Sequence, residues 1–297
     1  MKNILKVNRG KVDDGFNLLF RLAGILTVLI LFGIFLMLLI NGLLAFRDIS
    51  LREFLISPIW SPGAYESPHY GILTLVVSSL MVTFLAMLIA VPISIGAAAY
   101  LAEFAPRRVE KILKPAIEML AAVPSVTIGF LGIVLVGPFL SWLFGISHGL
   151  NALNGAILLA VMALPTIISI AEDAIYAVPN TFKEASYALG ANKWETLVRV
   201  VLPASASGII AAIMLGMGRV IGETMAVLMA TGNAAAMPNS IFDPVQPLTA
   251  TIAIEMGEVP YDTPHYYALF ALGVILFLIT LIINLIADKI TTQWQVR

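Results

Sequence analysis

The sequence predicts an all-α, polytopic membrane protein with six transmembrane helices, and three observations carry that expectation. Of its 297 residues, 60% are hydrophobic and only 12% are charged, against roughly 45–50% and about 25% in a soluble domain. Mean hydropathy is +0.96, so the apolar surface exceeds what a water-soluble fold of this size can hide. The chain holds six apolar runs, each near or above the ~20 residues a membrane-crossing helix needs. The third observation is the placement of the basic residues, taken up below.

The first run, residues 22–46, carries no charge and follows the basic Lys2, Lys6, Arg9 and Lys11. A cleaved signal has an apolar stretch of only about 7–15 residues, so this run reads as a retained first span. Residues 47–70 hold Pro58, Pro62 and Pro68 with Trp60, Tyr65 and Tyr70, a composition suited to an interfacial loop. The remaining runs are 72–101, about 112–140, 153–170, 205–230 and 267–287. Pro124 and Pro165 fall inside the third and fourth, and each is expected to break or bend its helix. Residues 231–263 contain Asp243, Glu255, Glu258 and Asp262 and no basic residue; within them 248–256 is too short to span and is expected to be re-entrant or superficial.

Fourteen of the 17 Lys and Arg fall in residues 1–21, 107–114, 183–199 and 289–297, all predicted on one side. Positive charge is retained on the cytoplasmic side, which places both termini there. The chain has no cysteine, hence no disulfide and no thiolate metal site. No basic domain is present to hold nucleic acid. His69, His148 and His265 lack metal-ligand spacing and read as interfacial residues. No Gly-x-x-x-x-Gly-Lys-Ser/Thr loop occurs, so the chain is not expected to hydrolyse ATP.

The cytoplasmic loop 179–203 has more structure than a connector needs. Thr181 followed by Glu184 is the spacing of a capping box, Ala185, Ala188 and Leu189 share one face, and Gly190 suits a helix stop. A second helical stretch follows over 192–201. Inside the fifth run, Arg219 and Glu223 stand four apart, where one helical face would pair them. A charge at mid-membrane costs roughly 2.5–3.5 kcal/mol on insertion scales and tends to mark a transport path. The guanidinium fork suits a tetrahedral oxyanion. Gly218 and Gly222 bracket Arg219 and allow close approach. Ser125 and Thr127 offer hydroxyls that either donate to an anion or bond their own helix backbone, and Glu172 and Asp173 suit capping or docking.

Glu184-Ala185-Ser186, Gly190 and Leu202-Pro203 together resemble the EAA loop of ATP-binding-cassette (ABC) importer permeases. Ala122-Val123-Pro124-Ser125, Leu164-Pro165-Thr166 and the segment Gly218 to Val227 narrow the resemblance to the phosphate importer permeases, and Met225-Ala226-Val227 leans toward their C-type subunit. The resemblance covers about 64–290 and implies a type I ABC importer permease fold. Taken with the apolar runs and the basic bias, it divides the chain into a cytoplasmic segment 1–21, a first helix 22–46, an extracytoplasmic loop 47–70, a permease core 71–290 and a cytoplasmic tail 291–297, expected in the cell membrane. Thr181, Glu184, Ala185, Ser186 and Gly190 would then engage an ATPase dimer that carries the ATP-Mg, this chain holding no cofactor itself. A second, A-type permease and an extracytoplasmic phosphate-binding protein complete the implied assembly. An ion-coupled anion carrier, a sulfate or molybdate permease and a membrane sensor are the competing readings; only the ABC permeases need the ATPase loop.

Overall fold

The computed structural model describes the backbone of residues 9–295 and the side chains of 16–291. Helix α1 (Arg9–Leu44) runs through a 3-10 turn, Ala45–Arg47, toward the short α2 (Leu51–Ile56). Two-residue strands β1 (Trp60–Ser61) and β2 (His69–Tyr70) pair antiparallel, Trp60 opposite Tyr70. Helix α3 (Leu73–Ala99) continues through a π-helical turn, Tyr100–Phe104.

The third apolar run departs from expectation. Helix α4 (Arg107–Ala121) is a separate amphipathic helix with no buried residue. The span begins after it, as α5 (Ser125–Leu131), a π-helical turn Gly132–Val136, and α6 (Gly137–Phe144). Two features explain the boundary. Six charged residues, Arg107 to Glu118, occupy one side of α4. Pro124, which has no N–H to lose, stands at the start of α5 rather than inside a helix.

The fourth run forms α7 (Ala152–Tyr176), helical straight through Pro165 rather than broken there. Asn151 caps it, accepting from the Asn154 amide at 3.0 Å. Then come α8 (Asn180–Ala188), α9 (Lys193–Thr196), a π-helical turn Leu197–Val201, and α10 (Leu202–Ala204). The chain bends by 70° into α11 (Ala206–Ile221). The fifth run is therefore not one helix: α11 stops, and α12 (Met225–Ala230) restarts it. Helix α13 (Leu248–Glu255) is the short helix expected in 231–263, and α14 (Pro264–Gln295) is the last. Among the described residues five helices are long and apolar enough to cross a membrane, or six if the bent pair ending in α11 counts as one span.

The core lies where α3 meets α7, with α11 packed onto both. Val82, Ala86, Ala90 and Ala98 of α3 are buried with Ala156, Ala160, Ala163 and Ala171 of α7. Gly216 of α11 admits Ile167, whose Cγ1 would lie 2.4 Å from a Cβ at that position. A second cluster, around Phe54, Trp60, Leu75, Leu248 and Leu269, seals the opposite end. There the Trp60 indole donates to Glu255 Oε1 at 2.9 Å, and His265 Nε2 lies 2.7 Å from Glu255 Oε2. The 47–70 segment is thus anchored at Phe54 and Trp60, while its tip around Tyr65 is exposed. Burial, with Asp48 nearby, also pushes the Tyr70 phenol pKa up. Helix α1 packs on α14, and the rest of its surface faces outward.

A topology test follows. Ser147 and Ser240 are exposed and Ser57 half-buried at the end predicted to face outward. Single cysteines there should react with an impermeant thiol reagent added outside. Ser186 is buried, so the reporter for the other face is Leu189, 90% exposed. A cysteine at 189 should label only after the membrane is opened; labelling from outside would reverse the orientation.

Candidate functional site

The break between α11 and α12 positions the two intramembrane charges. The last turn of α11 tightens, with Gly222 N donating to Gly218 O at 3.4 Å and Glu223 N to Val220 O at 3.2 Å. Glu223 then folds onto the next helix, where its Oε1 accepts from Met225 N at 3.1 Å and from Ala226 N at 3.4 Å. Two orphan amides at a helix start are so satisfied by a carboxylate, the favoured charge at that end. The expected pairing of Arg219 with Glu223 on one helical face is not formed, because the helix ends between them. Arg219 is exposed, and its Nη1 donates to Thr166 Oγ1 on α7 at 3.3 Å. Among the described residues no carboxylate lies within 4.0 Å of it. The Glu223 carbonyl accepts from Thr249 Oγ1 at 2.9 Å, which ties the break to α13.

Ser125 and Thr127 open α5, the first half-buried and the second exposed. Neither hydroxyl hydrogen-bonds Arg219 or Glu223. Their helix instead packs on α12, where Gly129 sits against Ala226 and Met229. Thr166, named in the sequence only within the Leu164-Pro165-Thr166 motif, takes its role from this contact with Arg219.

The 179–203 loop forms the expected helix, turn and helix, with different capping. Helix α8 begins at Asn180 behind Pro179, so Thr181 sits one residue inside it and caps nothing with its side chain. The capping box belongs to α9: Glu195 N donates to Asn192 Oδ1 at 2.9 Å and Asn192 N to Glu195 Oε2 at 2.8 Å. Gly190 has φ +86°. Its amide reaches Tyr187 O at 2.9 Å, and Ala191 N reaches Ser186 O at 3.2 Å, the paired bonds of a glycine helix stop. Ser186 does more than fill space, since its hydroxyl meets Thr196 Oγ1 at 2.9 Å, both residues buried. Glu184 and Ala185 are exposed. Ala185, Leu189, Gly190 and Arg199 line an open groove with Phe182.

The amphipathic α4 is clamped beside this loop. Lys114 Nζ lies 3.2 Å from Glu172 Oε2 and 3.5 Å from Asp173 Oδ1, both on α7. Burial works to lower the lysine pKa, but the two carboxylates outweigh it and hold it above its ordinary value. Among the described residues no group of three His, Asp or Glu could hold a metal ion.

The turn yields a direct test. At positive φ an L-residue costs roughly 1–2 kcal/mol, less for asparagine. Gly190→Val should speed hydrogen exchange of the Gly190 and Ala191 amides by about 5–30-fold, whereas Gly190→Asn should stay near wild type. Equal protection in both variants would mean the turn is not strained by a side chain.

A family model described as binding-protein-dependent transport system inner membrane component matches residues 90–293. The phosphate transport system permease protein PstC of Mesorhizobium japonicum is 36% identical over 304 aligned positions, covering 96% of this chain and 91% of that protein. PstC of Pasteurella multocida is 38% identical, covering 75% and 74%. Among solved structures, a bacterial ABC transporter involved in alginate import superposes with a TM-score of 0.64 at 16% identity, covering 96% of this chain and 99% of that one. The inward-facing MetNI methionine ABC transporter gives 0.58 at 19%, covering 73% and 93%. These two share the fold, which is the type I importer permease fold expected from the loop. Matched by the family model over more than half its length, and by relatives above 30% identity over most of it, the chain belongs to the binding-protein-dependent transport system inner membrane components, the membrane subunits of ABC transporters.

Proposed function

We propose that this chain is the C-type permease subunit of an ATP-driven phosphate importer, set in the cell membrane with both termini in the cytoplasm. Its relatives named as phosphate permeases support that substrate. The observation that carries it here is Arg219, a guanidinium at a break in a membrane helix whose partner is a neutral hydroxyl rather than a carboxylate. A fixed positive charge without a counter-ion calls for an anion. An ATPase dimer bearing ATP-Mg takes the groove and exposed face of the 179–190 helix. A second, A-type permease faces this one, and a phosphate-binding protein delivers from outside.

Thr166 holds the Arg219 fork in place while no anion is bound, and a neutral hydrogen bond is cheap to exchange. As phosphate arrives, Arg219 turns from Thr166 to the anion and binds it through two donors. Glu223 uses one oxygen to cap α12. Its other oxygen is left to accept a hydrogen bond from a phosphate hydroxyl. Fully ionised sulfate has none to offer, so carboxylate and oxyanion would face each other. Ser125 and Thr127, one helix away, serve as further donors along the path.

Radiolabelled uptake into vesicles holding the whole complex, with ATP supplied, tests this. Arg219→Gln should lower phosphate uptake roughly a hundredfold, the scale of losing about 3 kcal/mol of charged hydrogen bonding, while the complex still assembles. Arg219→Lys should also be poor, since a point charge does not replace a fork. Glu223→Gln should weaken uptake and relax discrimination against sulfate. Normal uptake by Arg219→Gln would make the residue structural. Uptake driven by an ion gradient without ATP would replace the importer with a secondary carrier.

A further inference from the structure

Where α3 ends, its helix widens: Ala105 N donates to Tyr100 O, five residues back, at 2.8 Å. Such π-turns re-aim the side chains they carry. Both outward groups of this turn meet the 180–196 hairpin. Glu103 forms an ion pair with Lys183 of α8, and the two side chains are only 9% and 15% exposed. Lys193 Nζ lies 4.9 Å from the centre of the Phe104 ring, which stands 6.5 Å from that of Trp194. Beside these contacts is an open apolar hollow of about 370 Å³, lined by Gly96, Tyr100, Trp194 and Leu202 among others. The end of α3 is therefore joined to the loop by the Phe104 contacts, by a shared apolar cluster that includes Leu101 and Leu197, and by one buried charge contact, the Glu103–Lys183 ion pair.

A buried ion pair is a poor device for stability, since an apolar pair of the same shape serves as well. It is a good device for position, because separating its members exposes each to an uncompensated apolar setting. Helix α3 in turn lies along α7, which presents Thr166 to Arg219. We infer that Glu103 is a positioning residue that makes α3 follow α8, so that displacement of the loop reaches the Arg219 break through α3 and α7. This route runs in parallel with the covalent one through α9, α10 and α11. The inference rests on the ATPase-driven reading above.

The test is the amount of phosphate imported per ATP hydrolysed by the reconstituted complex with its ATPase and binding protein. Glu103→Gln should leave ATP hydrolysis within twofold of wild type yet lower the ratio at least fivefold. The exchange Glu103→Lys with Lys183→Glu should restore it to within twofold. The absence of native cysteines permits a second arm that does not depend on the glutamine variant assembling. Glu103→Cys with Lys183→Cys should show a low ratio that rises at least fivefold when the two thiols are joined by a bifunctional reagent. A wild-type ratio in Glu103→Gln, or a joined pair that stays uncoupled, overturns the transmission role alone. A wild-type complex that imports no phosphate with ATP overturns the importer reading, and this inference with it.

Discussion

Small residues at every fourth position let two long helices approach along their length: Ala86, Ala90, Ser94 and Ala98 on α3, Ala152, Ala156 and Ala160 on α7, all buried. Lipid tails are as apolar as leucine, so helices in a bilayer gain little by burying large apolar groups. Close backbone approach between small residues is what holds them. The other elements are arranged on this pair. Gly216 brings α11 against Ile167, and Gly155 brings the chain at Thr231 against α7. Lys114 then fastens the amphipathic α4 to Glu172 and Asp173 at one end of α7.

The chain departs from regular helix at several places, and at two of them a side chain takes up backbone groups that the departure frees. Backbone polar groups without a partner are costly where water is absent. Glu223 takes the first amides of α12. Asn154 donates to the carbonyls of Gly132, at the π-turn of the third span, and of Gly149, at 3.0 and 2.9 Å. The residues argued to meet the anion therefore sit where the backbone is already irregular and its dipoles are exposed. Capping a helix and offering an acceptor to a ligand are compatible tasks for one carboxylate, because it has two oxygens.

The two regions of chemistry are joined through rigid matter. Schellman-type bonds at Gly190, the box at Asn192 and Glu195, and the buried Ser186–Thr196 hydroxyl pair make the 180–196 hairpin a preorganised body. Its exposed face, with Leu189 outermost, is left for a partner. A lever of this kind transmits force only if it cannot deform, which accounts for a serine at position 186 bonded across to the second helix.

Much was legible in the sequence by itself. Apolar runs and charge placement gave the class and the number of spans, and the loop text with the Arg219 segment gave the family. These signals survive because hydropathy, basic bias and glycine stops are local properties of the chain. The tertiary structure decided the rest. Residues 112–121 are apolar enough on average to read as span, but their charges fall on one side, so they form α4 outside it. The Thr181–Glu184 spacing mimics a capping box that Pro179 pre-empts by starting the helix two residues early. Arg219 and Glu223 have the spacing of a helical pair, yet the helix stops between them and each takes a different partner. Thr166, known from the sequence only as part of a motif, and Glu103 took on their roles only through what they touch. A periodic pattern states which residues share a face if the helix persists; whether it persists is settled by competing bonds from distant parts of the chain, and those exist only once it has folded.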